Sequence, residues 1–156
     1  MMLSDLIASL ERRDAATPVA HGFGGPHSYR GYYECLSFEP VENTTVGEML
    51  AAARSALGTT FTAYKGGDYT MHEYTDVYLA EWGRTGDAIT EHVLVAMIDV
   101  PQQVALLREA LRWAAATLQV LADHTAHEAD AITLEGETRT IGAVLDAADA
   151  ALEATS

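Results

Sequence analysis

The feature that most constrains the fold is a helix whose two ends are marked in the sequence. The segment TVGE at 45–48 has the spacing of a capping box, in which the threonine oxygen and the glutamate carboxylate accept hydrogen bonds from first-turn N–H groups. Gly58 is well placed to end the helix in a left-handed conformation. The expected apolar face follows helical spacing: Val46, Met49, Leu50, Ala53 and Leu57. This face has to pack against other elements.

The segments on either side of this helix have strand patterns. Residues 32–39, YYECLSFE, alternate as a strand does, and Pro40 is expected to end it. After the helix we expect a strand at 59–64, a hairpin turn at 65–68 and a second strand at 69–71. A third strand is expected at 75–82. A short amphipathic helix is predicted at about residues 4–13. We therefore predict an α+β fold in which a small antiparallel β-sheet packs against several α-helices.

The C-terminal third predicts a helix, a hairpin and a second helix. Residues 92–100 are apolar and β-branched, which favours a buried strand over a short helix. Pro101 suits the first turn of a long helix that reaches about Ala122, and its expected apolar stripe is Val104, Leu107, Leu111, Ala114, Ala115, Leu118 and Leu121. A hairpin is expected at 132–139, and Thr140 can cap a final helix from Ile141 to about Glu153.

Size and charge limit the classes of function. A chain of 156 residues without a linker-like tract fits a single domain. Acidic residues outnumber basic ones 23 to 9, so the average field repels phosphate backbones and nucleic acid is not an expected partner. One cysteine, Cys35, fits a reducing compartment and a packing role. Because the sequence has neither a leader pattern nor a membrane span, we expect a cytoplasmic protein.

Two glycine-rich segments are the candidate site. The first, HGFGGPHSYRGYY at 21–33, combines glycines with Arg30 and several aromatic rings, a composition typical of a ligand-facing loop. The second, AYKGGDYTMHEY at 63–74, contains Lys65, the only lysine of the chain. If the two segments adjoin, they form one site for a small anionic ligand, in which guanidinium and ammonium groups hold the anion and tyrosines offer stacking faces. The predicted ligand-binding residues are His27, Tyr29, Arg30, Tyr32, Lys65 and Asp68.

Each of these features also has a plain structural interpretation. In this interpretation the glycines of 21–33 only permit turns, since their spacing matches neither a P-loop nor a dinucleotide fingerprint, and 65–68 is an ordinary hairpin turn. His21, His27 and His72 could meet acidic side chains at a metal, but there is no HExxH or Cys/His cluster, so no metal or cofactor is predicted. The sequence HTAHEAD at 124–130 reads as a solvated helix end. Trp82 and Trp113 read as packing residues.

No catalytic residue is predicted. Ser28 and Cys35 are the candidate nucleophiles, and neither is set in a recognisable nucleophile motif. The alanine-rich stretches of the C-terminal third allow close helix packing, either within the chain or in a homodimer. The sequence therefore favours a binding protein over an enzyme.

Three strings occur in order along residues 20–98: PHSYRGYYECLSFEP, TVGEMLAAARSALG and YKGGDYTMHEYTDVYLAEWG. Together they resemble a group of small uncharacterised proteins encoded by actinobacteria and their bacteriophages. The resemblance implies a core at 20–98 with a C-terminal helical extension at 101–156, and it implies no activity. A phage context suggests binding of a host signal or a host protein.

Three hypotheses follow. The first is a non-enzymatic protein that binds a small anionic ligand, and in a phage it could sequester a nucleotide signal. The second is an acidic adaptor or inhibitor of a basic host protein, in which the glycines only shape the fold. The third is a small enzyme acting on a phosphoester with His21, His27 or His72 as general base.

Overall fold

The backbone forms two compact units, Met1–Asp99 and Val100–Ser156. Helices and strands both contribute to the chain, so the predicted α+β class is confirmed. The expectation of a single domain with an extension from residue 101 stays a prediction. The computed structural model describes residues 1–123, 131–134, 137–140, 142–144, 146–147 and 150.

A four-stranded mixed sheet is the centre of the first unit. Its strands, in spatial order, are β1 (Pro18–Ser28), β2 (Leu36–Thr45), β5 (Val77–Leu79) and β6 (Asp87–Ala88). An antiparallel sheet was predicted, without the strands β1 and β6. The pairs β1–β2 and β5–β6 are antiparallel, but β5 runs parallel to β2. A parallel neighbour needs a crossover connection, and the long segment between β2 and β5, which contains a helix, supplies it.

The glycine-rich stretch from His21 to Ser28 belongs to β1, so the prediction of a loop is wrong for these residues. Its glycines serve strand geometry. Gly25 has φ +44° at the point where the register with β2 shifts, which is a bulge. A Cβ on Gly22 would lie 2.5 Å from Cγ2 of Thr44 and 2.9 Å from Sδ of Met49, so only glycine allows this close approach.

β2 continues through Pro40, where the sequence predicted its end. Pro40 is paired with Phe23 of β1. Since β5 pairs only with Leu36 to Phe38, the outer edge of β2 beyond Phe38 has no strand partner among the described residues. A proline is tolerated on such an edge because no ladder hydrogen bond is lost there.

The capped helix is confirmed as α2 (Val46–Ala56). The Glu48 N–H donates to Oγ1 of Thr45 at 3.2 Å, and the Thr45 N–H donates to Oε2 of Glu48 at 2.9 Å. Hydrogen bonds from Thr44 and Thr45 lower the pKa of Glu48. Gly58 has φ +74°, as predicted, whereas Leu57 leaves the apolar face and is 45% exposed.

A short helix and a separate hairpin complete the N-terminal part of this unit. The helix α1 (Leu3–Glu11) and the hairpin of β3 (Thr60–Thr62) and β4 (Asp68–Thr70) confirm the predictions for these segments. The turn of the hairpin contains Gly66 and Gly67 at φ +87° and +94°. The core buries side chains from the helices and from the central sheet, among them Leu3, Leu6, Leu10, Phe23, Leu36, Phe38, Met49 and Ile98.

Residues 91–99 are helical, so the strand favoured for 92–100 is wrong. An α-helix, α3 (Glu91–Leu94), leads into a π-helical turn at Val95–Asp99. Thr90 caps α3 by accepting a hydrogen bond from the Val93 N–H at 3.3 Å. Leu94 and Ile98, four residues apart, both enter the core, and this spacing suits a helix as well as it suits a buried strand.

The second unit contains α4 (Val100–Asp123) and a hairpin of β7 (Ala131–Leu134) and β8 (Glu137–Thr140), as predicted. Helical residues follow at 142–144, 146–147 and 150. The hydroxyl of Thr140 accepts a hydrogen bond from the Ala143 N–H at 3.2 Å, as a cap does. The segment at 124–130 lies outside the described residues.

The buried face of α4 differs from the predicted stripe. Val104 and Leu111 are 39% and 68% exposed, whereas Trp113 and Thr117 are buried. The guanidinium of Arg139 lies 4.5 Å from the centre of the Trp113 ring, which fits the packing role predicted for this tryptophan. Among the helices that the structure describes, none has the length and apolarity needed to cross a membrane.

Candidate functional site

A cleft of about 190 Å³ lies where the two glycine-rich segments meet. One wall is the loop at 29–33, which follows β1, and the other is the turn at 63–66 between β3 and β4. The first unit therefore brings together Tyr29, Arg30, Tyr32 and Lys65, four of the six predicted site residues, from segments about thirty residues apart in the sequence.

The other two predicted residues do not line the cleft. His27 is buried in β1, and its Nδ1 and Nε2 each lie 3.0 Å from a carbonyl oxygen, of Ser28 and Ala80 respectively. Asp68 begins β4, where its carboxylate accepts a hydrogen bond from the Thr62 hydroxyl at 2.8 Å. Both side chains support the frame of the site.

The two cations of the cleft have no carboxylate partner within the described part of the chain. Arg30 donates instead to the carbonyl oxygen of Gly83, and its guanidinium lies 4.8 Å from the centre of the Tyr64 ring. Elsewhere in this unit, Arg13, Arg54 and Arg84 all pair with acidic side chains. Arg30 and Lys65 thus line one cleft in a chain of net charge -14, where a local positive charge differs in sign from the average field.

Tyr29 forms a rigid wall of the cleft. Its ring stacks on Tyr78 with 4.0 Å between centres and 6° between planes, and its hydroxyl donates to the Gly86 carbonyl at 3.2 Å. A Cβ on Gly31 would lie 2.4 Å from this ring, so glycine is required beside it. Tyr32 and Tyr64, which also line the cleft, are about half exposed, at 54% and 50%, and Arg30 lies over one face of the Tyr64 ring.

A row of five rings leads away from the cleft. We call Tyr32, Tyr33, Tyr69, His72 and Tyr74 the aromatic row. The distances between consecutive ring centres are 5.5, 5.9, 5.9 and 5.4 Å. Tyr32 and Tyr33 both hydrogen-bond to Glu34, and this bond together with the negative charge of Glu34 raises the pKa of each phenol.

Sequence reasoning assigned only one residue of this row, Tyr32, to the site. A usable signal was present, because all seven tyrosines of the chain fall between residues 29 and 78. Trp82, predicted to be a packing residue, is 54% exposed, and only the edge of its ring contacts His27 at 5.3 Å between centres. The concentration of exposed rings in one unit was therefore underestimated.

The two candidate nucleophiles, Ser28 and Cys35, are shielded from solvent to different degrees. Within the described residues, no three side chains of His, Cys, Asp or Glu are grouped so that they could hold a metal ion. Cys35 is half-buried, and burial raises the pKa of its thiol, which disfavours the nucleophilic thiolate. Ser28 Oγ is buried without a hydrogen-bond partner. The cleft lined by Arg30 and Lys65 remains the candidate site because it brings together four of the six predicted site residues.

Comparison with protein-family models, with curated proteins and with solved structures finds no match to this chain. The choice among functions rests on the geometry and chemistry of the cleft.

Proposed function

We propose that the chain is a non-enzymatic binding protein for a small anionic ligand that carries a ring, such as a nucleotide. The observation that carries this proposal is that Arg30 and Lys65, neither of which has a carboxylate partner among the described residues, line one cleft together with tyrosines. A planar guanidinium can hold a phosphate through two hydrogen bonds, and the lysine adds a mobile point charge.

The size of the cleft limits how the ligand is held. A volume of about 190 Å³ is below the range of roughly 300 to 1,000 Å³ usual for sites that enclose a whole small molecule. The cleft can therefore enclose one group, such as a phosphate, while the remainder of the ligand lies on the exposed rings at its mouth. We therefore expect moderate affinity for a mononucleotide, and we expect this affinity to depend strongly on the phosphate group.

Isothermal titration with AMP, compared with adenosine and with inorganic phosphate, tests the proposal. Arg30→Ala and Lys65→Ala should each weaken AMP binding by about tenfold or more, since each removes a charge-assisted contact. The matched control is Arg12→Ala, which removes a basic side chain outside the cleft that likewise has no carboxylate partner in the described chain. Thermal melts should show that the variants remain folded.

Two results would contradict the proposal. One is the absence of AMP binding at millimolar concentration, together with no binding of the other nucleoside monophosphates. The other is binding that Arg30→Ala and Lys65→Ala leave unchanged, because the anion would then be held elsewhere. In a bacteriophage, such a protein could sequester a nucleotide signal of its host, and the cytoplasm would be its place of action.

A second candidate is an adaptor that binds another protein. The observation in its favour is the number of exposed aromatic side chains in the first unit, since tyrosine and tryptophan are enriched at interfaces: Tyr32, Tyr33, Tyr64, Tyr74 and Trp82. An adaptor of this kind would keep its partner when Arg30 and Lys65 are replaced by alanine. It would lose its partner when the exposed tyrosines are replaced, and capture assays with the two sets of variants separate the hypotheses.

A further inference from the structure

We propose that the ligand carries two rings, as a dinucleotide does, and that a second groove at the far end of the aromatic row holds the second ring. This inference rests on the function proposed above and adds a subsite to it. The groove has a volume of about 310 Å³ and contains His72 and Tyr74, the last two members of the row. The cleft contains the first two, Tyr32 and Tyr33.

The aromatic row runs from the lining of the cleft to the lining of the groove, with at most 5.9 Å between consecutive ring centres. Only Tyr69 stands between the ring pair of the cleft and the ring pair of the groove, and it lies 5.9 Å from both Tyr33 and His72. Tyr32, Tyr33 and Tyr74 are 54%, 44% and 61% exposed. Exposed ring surface that a ligand can contact is therefore present at both ends of the row.

The groove is suited to a flat ring. His72 and Tyr74 are stacked at 5.4 Å with 21° between their planes, and Tyr74 carries an exposed face. Leu57, which is 45% exposed, and the buried Met71 add apolar surface. Glu73 adds a hydrogen-bond acceptor, which could accept from an amino group of a base. Phosphate is disfavoured here because the lining contains a carboxylate and neither lysine nor arginine.

The charge of the protein limits how many phosphates the ligand can carry, and therefore its length. Arg30 and Lys65 line the same cleft and can hold one phosphate group, the 5′-phosphate of a dinucleotide such as pApA. A long single strand would bring many more phosphates towards a protein of net charge -14, and Glu34 lies beside the row. Since stacking on aromatic side chains contributes to affinity base by base, the second base should add to the affinity although no further cation is present.

Titration of pApA and AMP against the same protein preparations tests the inference. We expect pApA to bind the wild type about tenfold more tightly than AMP does. Tyr74→Ala should remove this difference and leave AMP binding unchanged, and His72→Ala, which removes the ring stacked on Tyr74, should reduce the difference as well. Trp82→Ala is the control, because it removes an exposed ring that lines neither cavity.

The outcomes separate this inference from the proposed function. Equal affinities for AMP and pApA, or a tenfold difference that persists in both Tyr74→Ala and His72→Ala, would overturn the second subsite while the AMP site stands. If neither molecule binds, both proposals are wrong. Tighter binding of a (dA)20 strand than of pApA at matched salt would also contradict the inference, since the site would then follow a polyanion along the surface.

Discussion

At the scale of single residues, Arg13 makes the most extensive polar network in the first unit. Its side chain is 13% exposed, and it contacts Asp99 through two nitrogens, at 3.0 and 2.7 Å. It also contacts Glu91 at 3.1 Å and the Ser9 hydroxyl at 2.6 Å. These contacts tie α1 to the helical residues 91–99.

Replacing Arg13 by alanine should lower the free energy of unfolding by about 2 to 3 kcal/mol, because the change leaves a partly buried carboxylate without its partner. Urea denaturation at neutral pH measures this loss. Arg12→Ala, on the exposed side of the same helix, should change stability by less than about 0.5 kcal/mol. Equal effects of the two substitutions would mean that the network contributes little.

Glu91 should make stability depend on pH. A hydrogen bond from Ser9 and another from Arg13 lower the pKa of Glu91 below its ordinary value of 4.5. Because the pKa of Glu91 is lower in the folded state, the ionised carboxylate stabilises the fold when the pH is above the ordinary pKa. This contribution is lost as the pH falls towards the lower pKa of the folded state. The stability difference between wild type and Glu91→Gln, measured by urea denaturation, should therefore be constant above pH 5 and shrink on further acidification. A difference that grows in acid would contradict this sign.

At the scale of elements, the features that depend on neighbouring residues in the sequence were predicted correctly. The capping box at Thr45 and Glu48, the left-handed Gly58 and the glycines of the β3–β4 turn each satisfy a local backbone requirement, and all three lie where the sequence placed them. The α1 helix and the C-terminal hairpin followed from periodicity and turn residues in the same way.

The misplaced elements depended on distant parts of the chain. The glycines of 21–28 read as a loop because nothing local shows that Met49 packs against Gly22, or that β2 supplies a partner strand. The helix at 91–99 is held by Arg13, about eighty residues earlier in the sequence. Of the site, the sequence identified both cations and two of the tyrosines around the cleft. It missed the rings that join the cleft to the groove, since their alignment depends on tertiary packing.

The capping box gives a prediction at this scale. Thr45→Ala should destabilise the protein by about 1 kcal/mol, since it removes the acceptor for the Glu48 N–H at the start of α2. Thr45→Ser keeps the oxygen and should be close to wild type. Thermal unfolding of the two variants measures the difference, and an equal loss in both would assign the effect to the threonine methyl group.

At the scale of the whole molecule, the chain is strongly acidic, whereas the two cations of the cleft lie beside tyrosines in the first unit. The chain carries a net charge of -14, yet its only lysine and an arginine without an acidic partner in the described chain lie together beside the tyrosines. A general negative field with one local positive cleft disfavours long polyanions and leaves a small anion free to bind. All residues of the cleft and of the aromatic row lie within the first unit, Met1–Asp99, which also has its own core.

The most direct test of this account is a two-dimensional ¹H–¹⁵N NMR titration of the full chain with AMP. Saturable shifts of the backbone amides at 29–33 and 63–66 are expected for the wild type, and no such shifts are expected in Arg30→Ala. Shifts confined to other surfaces, or an unchanged spectrum at millimolar AMP, would contradict the assignment of the cleft as an anion site.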